Sequence, residues 1–375
     1  LIPESRRQVG FFLELVHEPW SIVHGLTAFF GFVGDNLIFL LLIKTDKMRS
    51  IAFREALREA MNEEMRRDEK VFLMGEEVAE YNGAYKVSQG MLAEFGEKRV
   101  IDTPISELGF TAVAVGAAQS GLRPIVEYMT WNFAVLALDQ ILNTASKMLA
   151  MSGGQINCPI VFRGGNGSAG QLGAQHSTAF ESYYANIPGI KVVSPSTPYD
   201  AKGLLKQAIR YEQDPVIFME SEVMYGDKGD VPEEEYYIPI GKADIKKQGR
   251  DVTIVSYNKM MKVALGAAAE LEKEGVSAEV IDLRTIRPLD WQTILESIKK
   301  TNRLVIVEEQ WPFASVSSEI SYRIQKEGFD YLDAPIRRIT SADAPMHYAP
   351  NLAALAIPDV ARTVKLVKEV MYLKK

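Results

Sequence analysis

Two residues in this chain have the type and the setting for chemistry, a glutamate and a histidine. Glu107 closes the segment Asp102-Thr-Pro-Ile-Ser-Glu107, which follows an apolar strand pattern and precedes the small-sided run Phe110-Thr-Ala-Val-Ala-Val-Gly-Ala-Ala-Gln119. An acid there faces a pocket rather than bulk water, and another backbone or a flat ring can lie against so narrow a helix. A glutamate in that place can hydrogen-bond a ring nitrogen; it can equally cap the helix, because acids favour first turns. His176 sits in Gln171-Leu-Gly-Ala-Gln175-His176-Ser177, just after the glycine-rich segment Arg163-Gly-Gly-Asn-Gly-Ser-Ala-Gly170. That segment leaves a predicted strand at residues 159–162, and α/β sheets place ligands at the carboxyl ends of their strands. Of the four histidines, His17 and His24 fall in an atypical leader and His347 near the C-terminus, so His176 is the acid–base candidate. A histidine hydrogen-bonded within its own loop is the alternative.

Other motifs point less sharply. The glycine run lacks the spacing and the Lys-Ser/Thr ending of a P-loop and does not match the dinucleotide fingerprint, so turn-making suits it better than phosphate binding. Ser177 beside a histidine is no hydrolase signal without a G-x-S-x-G elbow. Tyr128, Trp131 and Phe133 crowd the end of another strand, where they either stack on a heterocycle or fill the core. Glu76 and Glu77, followed by Tyr81-Asn-Gly-Ala-Tyr85, also follow a strand end and suit a substrate-facing loop or a subunit contact.

These residues must be positioned by a sizeable fold. With 375 residues, 47% of them hydrophobic, the chain can bury two domain cores. A formal net charge of -7 disfavours nucleic acid and other acidic partners, which require clustered Lys and Arg. The single cysteine, Cys158, excludes an intrachain disulfide or a multi-cysteine metal site and reads as a core residue. Residues 1–47 differ from the rest. Their apolar run is interrupted by Asp35 and Asn36, short of the ~20 residues of a spanning helix, and no signal-peptide order is present. A conventional start follows at Met48, so the leader is expected to be a misassigned upstream start.

From Met48 onward the pattern is α/β. Helices are predicted over residues 51–67, 136–150 and 200–211, with strands at 71–74, 124–128, 159–162, 190–193 and 215–219. A glycine-, proline- and acid-rich link at 226–240 separates residues 48–225 from a second α/β block at 241–375. That block is predicted to hold strands at 251–256, 278–282, 303–308 and 335–339, alternating with helices.

Taken together, these segments resemble the beta subunit of thiamine-diphosphate-dependent 2-oxo acid dehydrogenase complexes, most like the pyruvate dehydrogenase member. The resemblance rests on residues 75–87, Asp102-Thr-Pro-Ile-Ser-Glu107, Met151-Ser-Gly-Gly154, Ala174-Gln-His-Ser177, residues 188–195, Asp282-Leu-Arg-Thr-Ile-Arg-Pro-Leu289 and Asp333-Ala-Pro335. It runs from about Met48 to the C-terminus. It implies a parallel-sheet domain of the pyrimidine-binding type followed by a transketolase C-terminal-type domain. It implies that Glu107 hydrogen-bonds N1′ of the cofactor's aminopyrimidine, that Met129 and Phe133 line the pyrimidine pocket, and that His176 serves substrate addition or acyl transfer to a lipoyl arm. It further implies a potassium ion on the main-chain carbonyls of Ile160, Ala208, Ile209 and Tyr211, although the turn at residues 211–214 departs from the family pattern.

The family's Gly-Asp-Gly and Asn-Asn motif, which fixes the diphosphate through Mg²⁺, is missing from this sequence. The resemblance therefore implies half of a site, completed by an alpha subunit in an α2β2 heterotetramer that serves a lipoyl-bearing acyltransferase core. A branched-chain 2-oxo acid dehydrogenase beta subunit, or a noncatalytic docking subunit of such a complex, is the alternative. A bacterial-type cytoplasm is the expected location, with the mitochondrial matrix or a plastid as alternatives.

Overall fold

The computed structural model describes residues 26–33, 36–43 and 47–373. Most of the expected leader, including His17 and His24, lies outside the described residues. The chain divides into two compact units, Leu1–Arg49 with Pro232–Glu235, and Ser50–Val231 with Tyr236–Lys375. In the first, Leu26–Val33 and Asn36–Ile43 pair as an antiparallel hairpin. No described helix is long and apolar enough to cross a membrane.

The second unit carries two large sheets. In the larger, β1 (Val71–Gly75), β2 (Val100–Asp102), β3 (Arg123–Thr130), β4 (Val161–Gly165), β5 (Lys191–Val193) and β6 (Val216–Glu220) stand in the order β5-β6-β4-β3-β1-β2. All of these are parallel, and Thr285–Arg287 joins antiparallel outside β5. The smaller sheet runs Asp244–Lys247, Ala278–Asp282, Val252–Ser256, Leu304–Val307, Arg337–Ile339. Its first strand alone is antiparallel to its neighbour. Strands such as β6 and Val252–Ser256 are buried along their whole length, which is why they read as mostly apolar segments without strict alternation.

Helices cover the larger sheet. Helix α1 (Phe53–Arg67) starts two residues later than its periodicity predicts, because the Ala52 amide is taken by the Glu55 carboxylate at 2.7 Å. It packs on α3 (Pro198–Arg210), with Phe53, Leu57, Leu204 and Leu205 in one core cluster. Lys202 and Lys206 are buried between them and paired with Glu63 at 2.7 and 2.6 Å. Buried lysines are tolerated only with such partners.

The predicted continuous helix over 136–150 is broken into a 3₁₀ turn Val135–Ala137, a π-helical segment Gln140–Ala145 and the short helix Met148–Met151. Ser146 explains the widening: its hydroxyl donates to the Leu142 carbonyl at 2.7 Å, while its amide reaches back to Ile141 at 3.1 Å. The side chain takes the acceptor that the helical ladder would have used. Strand β4 starts later than predicted and runs into the glycines, because its ladder with β3 and β6 continues through Gly164 and Gly165. Within the predicted link, Lys228–Pro232 is a strand. Cys158 is buried as expected, and burial pushes its thiol up to about 12, so it is no nucleophile at neutral pH.

Candidate active site

Strands β1 and β2 end side by side, with Gly75 opposite Asp102. The loop leaving β1 is fastened there: Ala79 and Glu80 donate their amides to the Asp102 carboxylate at 2.6 and 3.0 Å. This brings Glu76 to Glu107, the first residue of helix α2 (Glu107–Gln119). Both are buried, at 4% and 5% exposure. The two carboxyl groups lie within hydrogen-bonding reach. Ser106, at the N-cap, makes no side-chain capping bond.

Glu76 receives one weak donor, the Met129 amide at 3.4 Å on Oε2, and its Oε1 has no partner in the protein. Burial first, and the Glu107 charge second, raise its ionisation from 4.5 to about 7. The Glu107 carboxyl beside it thus favours the protonated form of Glu76. Below them, Arg163 is buried between Glu127 and Glu220, with Nε donating to Glu220 at 2.6 Å. Tyr225 donates to the other Glu220 oxygen at 2.7 Å.

Strand β3 joins this pair to the histidine. It delivers Met129 beside Glu76 and then turns through Trp131–Ala134, which presents Phe133. The Phe133 ring meets His176 edge-on, with centroids 5.0 Å apart. His176 ends the 3₁₀ turn Ala174–His176. Its loop is tied to β3 through Asn132, which accepts the Thr178 amide at 3.1 Å. A further carboxylate, Glu222, interacts electrostatically with His176 and shares a hydrogen bond with Tyr85. His347 is exposed.

The structure therefore joins Glu107 with Glu76 and Met129, and Phe133 with His176, along the carboxyl end of one sheet. The partnership of Glu76 with Glu107 and the place of Glu222 are not visible in sequence order. The signal for the first was an acid shortly after each of two strand ends, Glu76 after Gly75 and Glu107 after Asp102. An aminopyrimidine requires a carboxyl group at its ring nitrogen and a flat apolar wall, and these residues fit it: an unpartnered buried carboxyl oxygen, Met129 and Phe133.

The carbonyls expected to hold potassium are already engaged. Ile160 accepts from the Val216 amide at 2.9 Å and Ala208 from the Tyr211 amide at 3.2 Å. Ile209 and Tyr211 both accept from the Arg123 guanidinium, at 2.6 and 3.3 Å. Among the described residues no group of three or more His, Cys, Asp or Glu side chains is arranged to hold a metal.

Residues 49–228 match the transketolase pyrimidine binding domain and residues 241–363 the transketolase C-terminal domain. A pyruvate dehydrogenase E1 component subunit beta from Rhizobium meliloti (strain 1021) is 58% identical over 327 residues, 87% of this chain and 71% of that protein. Its counterpart from Rickettsia felis is 56% identical, covering 86% of this chain and 98% of that one. The chain belongs to the family of pyruvate dehydrogenase E1 component beta subunits. A split-gene transketolase, described as an inactive beta4 tetramer, superposes with a TM-score of 0.69 at 22% identity, covering 87% of this chain and 99% of that chain. Pichia stipitis transketolase follows at 0.62 and 15% identity, covering 86% of this chain and 46% of that chain. These two speak to the fold alone. Membership of the E1 beta family brings dependence on thiamine diphosphate.

Proposed function

We propose that this chain supplies the aminopyrimidine half of a pyruvate-decarboxylating site, and that an alpha subunit supplies the diphosphate and Mg²⁺ half. The observation that carries the proposal is the setting of the Glu107–Glu76 pair. It is buried and lies in a surface where large apolar side chains are left open: Ile105 is 78% exposed, Leu108 49% and Val113 65%. Apolar exposure of that extent around a buried acid pair suits a site closed by another chain.

Thiamine diphosphate, when bound, provides the nucleophilic carbon that adds to the 2-oxo group and the electron sink for loss of carbon dioxide. The protein's part is to hold and move protons. Glu107 would hydrogen-bond the pyrimidine ring nitrogen, with the buried carboxyl of Glu76 beside it. Met129 and Phe133 form the apolar wall against the pyrimidine. His176, fixed against Phe133, faces the substrate side and serves as proton donor and acceptor during acyl transfer to a lipoyl group. The division into residues 48–225, a link at 226–240 and residues 241–375 belongs to the same reading, as do a lipoyl-bearing acyltransferase core as partner and a bacterial-type cytoplasm as location. A structural potassium ion at Ile160, Ala208, Ile209 and Tyr211 would have to share two of its oxygens with Arg123. No step depends on it, and a melting temperature higher in potassium than in sodium buffer is its test.

The substrate is tested with the alpha and beta subunits reconstituted together. Pyruvate is expected to turn over far faster than a branched-chain 2-oxo acid. The reverse preference would assign the chain to branched-chain substrates instead.

A further inference from the structure

We propose that Glu309 is a positioning residue for His176, acting from the C-terminal block on the glycine-rich loop. Glu309 follows the strand Leu304–Val307, and Lys259 immediately precedes the helix Met260–Lys273. Their charged ends meet at 2.6 Å, with side chains only 11% and 7% exposed. Both also grip Ser168. The Ser168 amide donates to Glu309 Oε1 at 2.7 Å, and its hydroxyl donates to the same oxygen. Lys259 Nζ donates to the Ser168 carbonyl at 2.5 Å and is 2.9 Å from its hydroxyl oxygen.

The glycines of this region are the seats for that grip. Gly167 has φ +76°, and a Cβ there would collide with the Glu309 carboxylate; Gly173 has φ +78°, and a Cβ there would collide with the Tyr348 ring. The run read in sequence as turn-making is also the place where side chains of the C-terminal block enter. From this anchor the path to His176 is short. Gly167 donates its amide to the Thr178 carbonyl at 3.1 Å, and the His176 amide reaches Gly173 at 3.4 Å. Ala174, Ser177 and Glu309 line one small cavity together. Loss of the Glu309 charge leaves Lys259 buried without its counter-ion and frees Ser168, so the loop holding the imidazole shifts.

The inference rests on the reading of His176 as the acyl-transfer residue. Its test uses the enzyme assembled from both subunits, carrying Glu309→Gln, His176→Ala or both. Three quantities are measured: pyruvate decarboxylation with an artificial electron acceptor, acetylation of a lipoyl domain, and hydrogen exchange across residues 166–178. Glu309→Gln is expected to raise exchange in that segment and to cut lipoyl acetylation about tenfold or more. Decarboxylation should fall much less, and the double variant should be no worse than His176→Ala. Unchanged exchange, or losses that multiply in the double variant, would overturn the inference. If His176→Ala leaves both half-reactions intact, the role given to His176 fails, while exchange still decides whether Glu309 holds the loop. Should Glu309→Gln not assemble, Ser168→Ala keeps the ion pair and removes only the hydroxyl, and the same exchange and acetylation results decide.

Discussion

Replacing Glu76 by Gln removes one member of the acid pair at almost constant shape. In the wild type the Glu76 carboxyl ionises near 7 rather than 4.5, chiefly through burial and then through the Glu107 charge. That difference corresponds to ~3 kcal/mol at 1.36 kcal/mol per pH unit. The sign follows from proton linkage. A carboxyl whose folded value lies above its unfolded one holds its proton more tightly in the native state. Its contribution to stability is therefore full below about 4.5 and is lost as pH rises through about 7. Glutamine cannot titrate, and its amide can donate to Glu107 as the protonated acid does. Melting temperatures of the cofactor-free assembly at pH 5 and pH 8 give the assay. At ~2 °C per kcal/mol for a chain of this size, the wild type should lose up to about 6 °C more than Glu76→Gln between those two pH values. Glu181 and Asp282, raised to about 7 and about 6, titrate in both proteins and cancel in the comparison. Identical pH dependence in the two proteins would refute the raised ionisation of Glu76.

Three further substitutions bear on the site and its support. Glu107→Gln should abolish most turnover while assembly with the alpha subunit, followed by sedimentation, stays intact; full turnover in the assembled variant would contradict the role of Glu107. His176→Ala should reduce lipoyl acetylation more than decarboxylation, and equal losses in separate assays of the two half-reactions would contradict that division. Arg163→Met strips the cation from between buried Glu127 and Glu220 and should destabilise the fold by about 3–5 kcal/mol. An unchanged urea midpoint would show that the two carboxylates do not depend on it.

The sequence was most legible where a local pattern decides the structure. The strand Leu304–Val307 falls within a residue of its predicted bounds at each end, because a continuous apolar run leaves little choice. Glu107 and His176 stood out because each follows a strand's carboxyl end. The short strands Asp244–Lys247 and Thr285–Arg287 were not predicted, and Val100–Asp102 was read only as an apolar pattern before Asp102, without bounds. Edge strands of this length owe their conformation to the neighbour they pair with, and that neighbour is distant in sequence. The same reason hides the Glu76–Glu107 pair, which exists because Gly75 and Asp102 fall opposite one another in the β1–β2 register. It also hides the use of the glycine loop, whose partners Lys259 and Glu309 come from the other end of the chain. Ser146 broke the predicted 136–150 helix through a side-chain bond that hydrophobic periodicity does not register.

The central claim, half of a thiamine-diphosphate site in this chain, is tested most directly by decarboxylation of pyruvate by residues 48–375 in thiamine diphosphate and Mg²⁺, with and without the alpha subunit from the same source. Turnover only when both subunits are present, and lost with Glu107→Gln, is the predicted result. Turnover by this chain alone, or a cofactor-loaded pair that leaves pyruvate untouched, would contradict it.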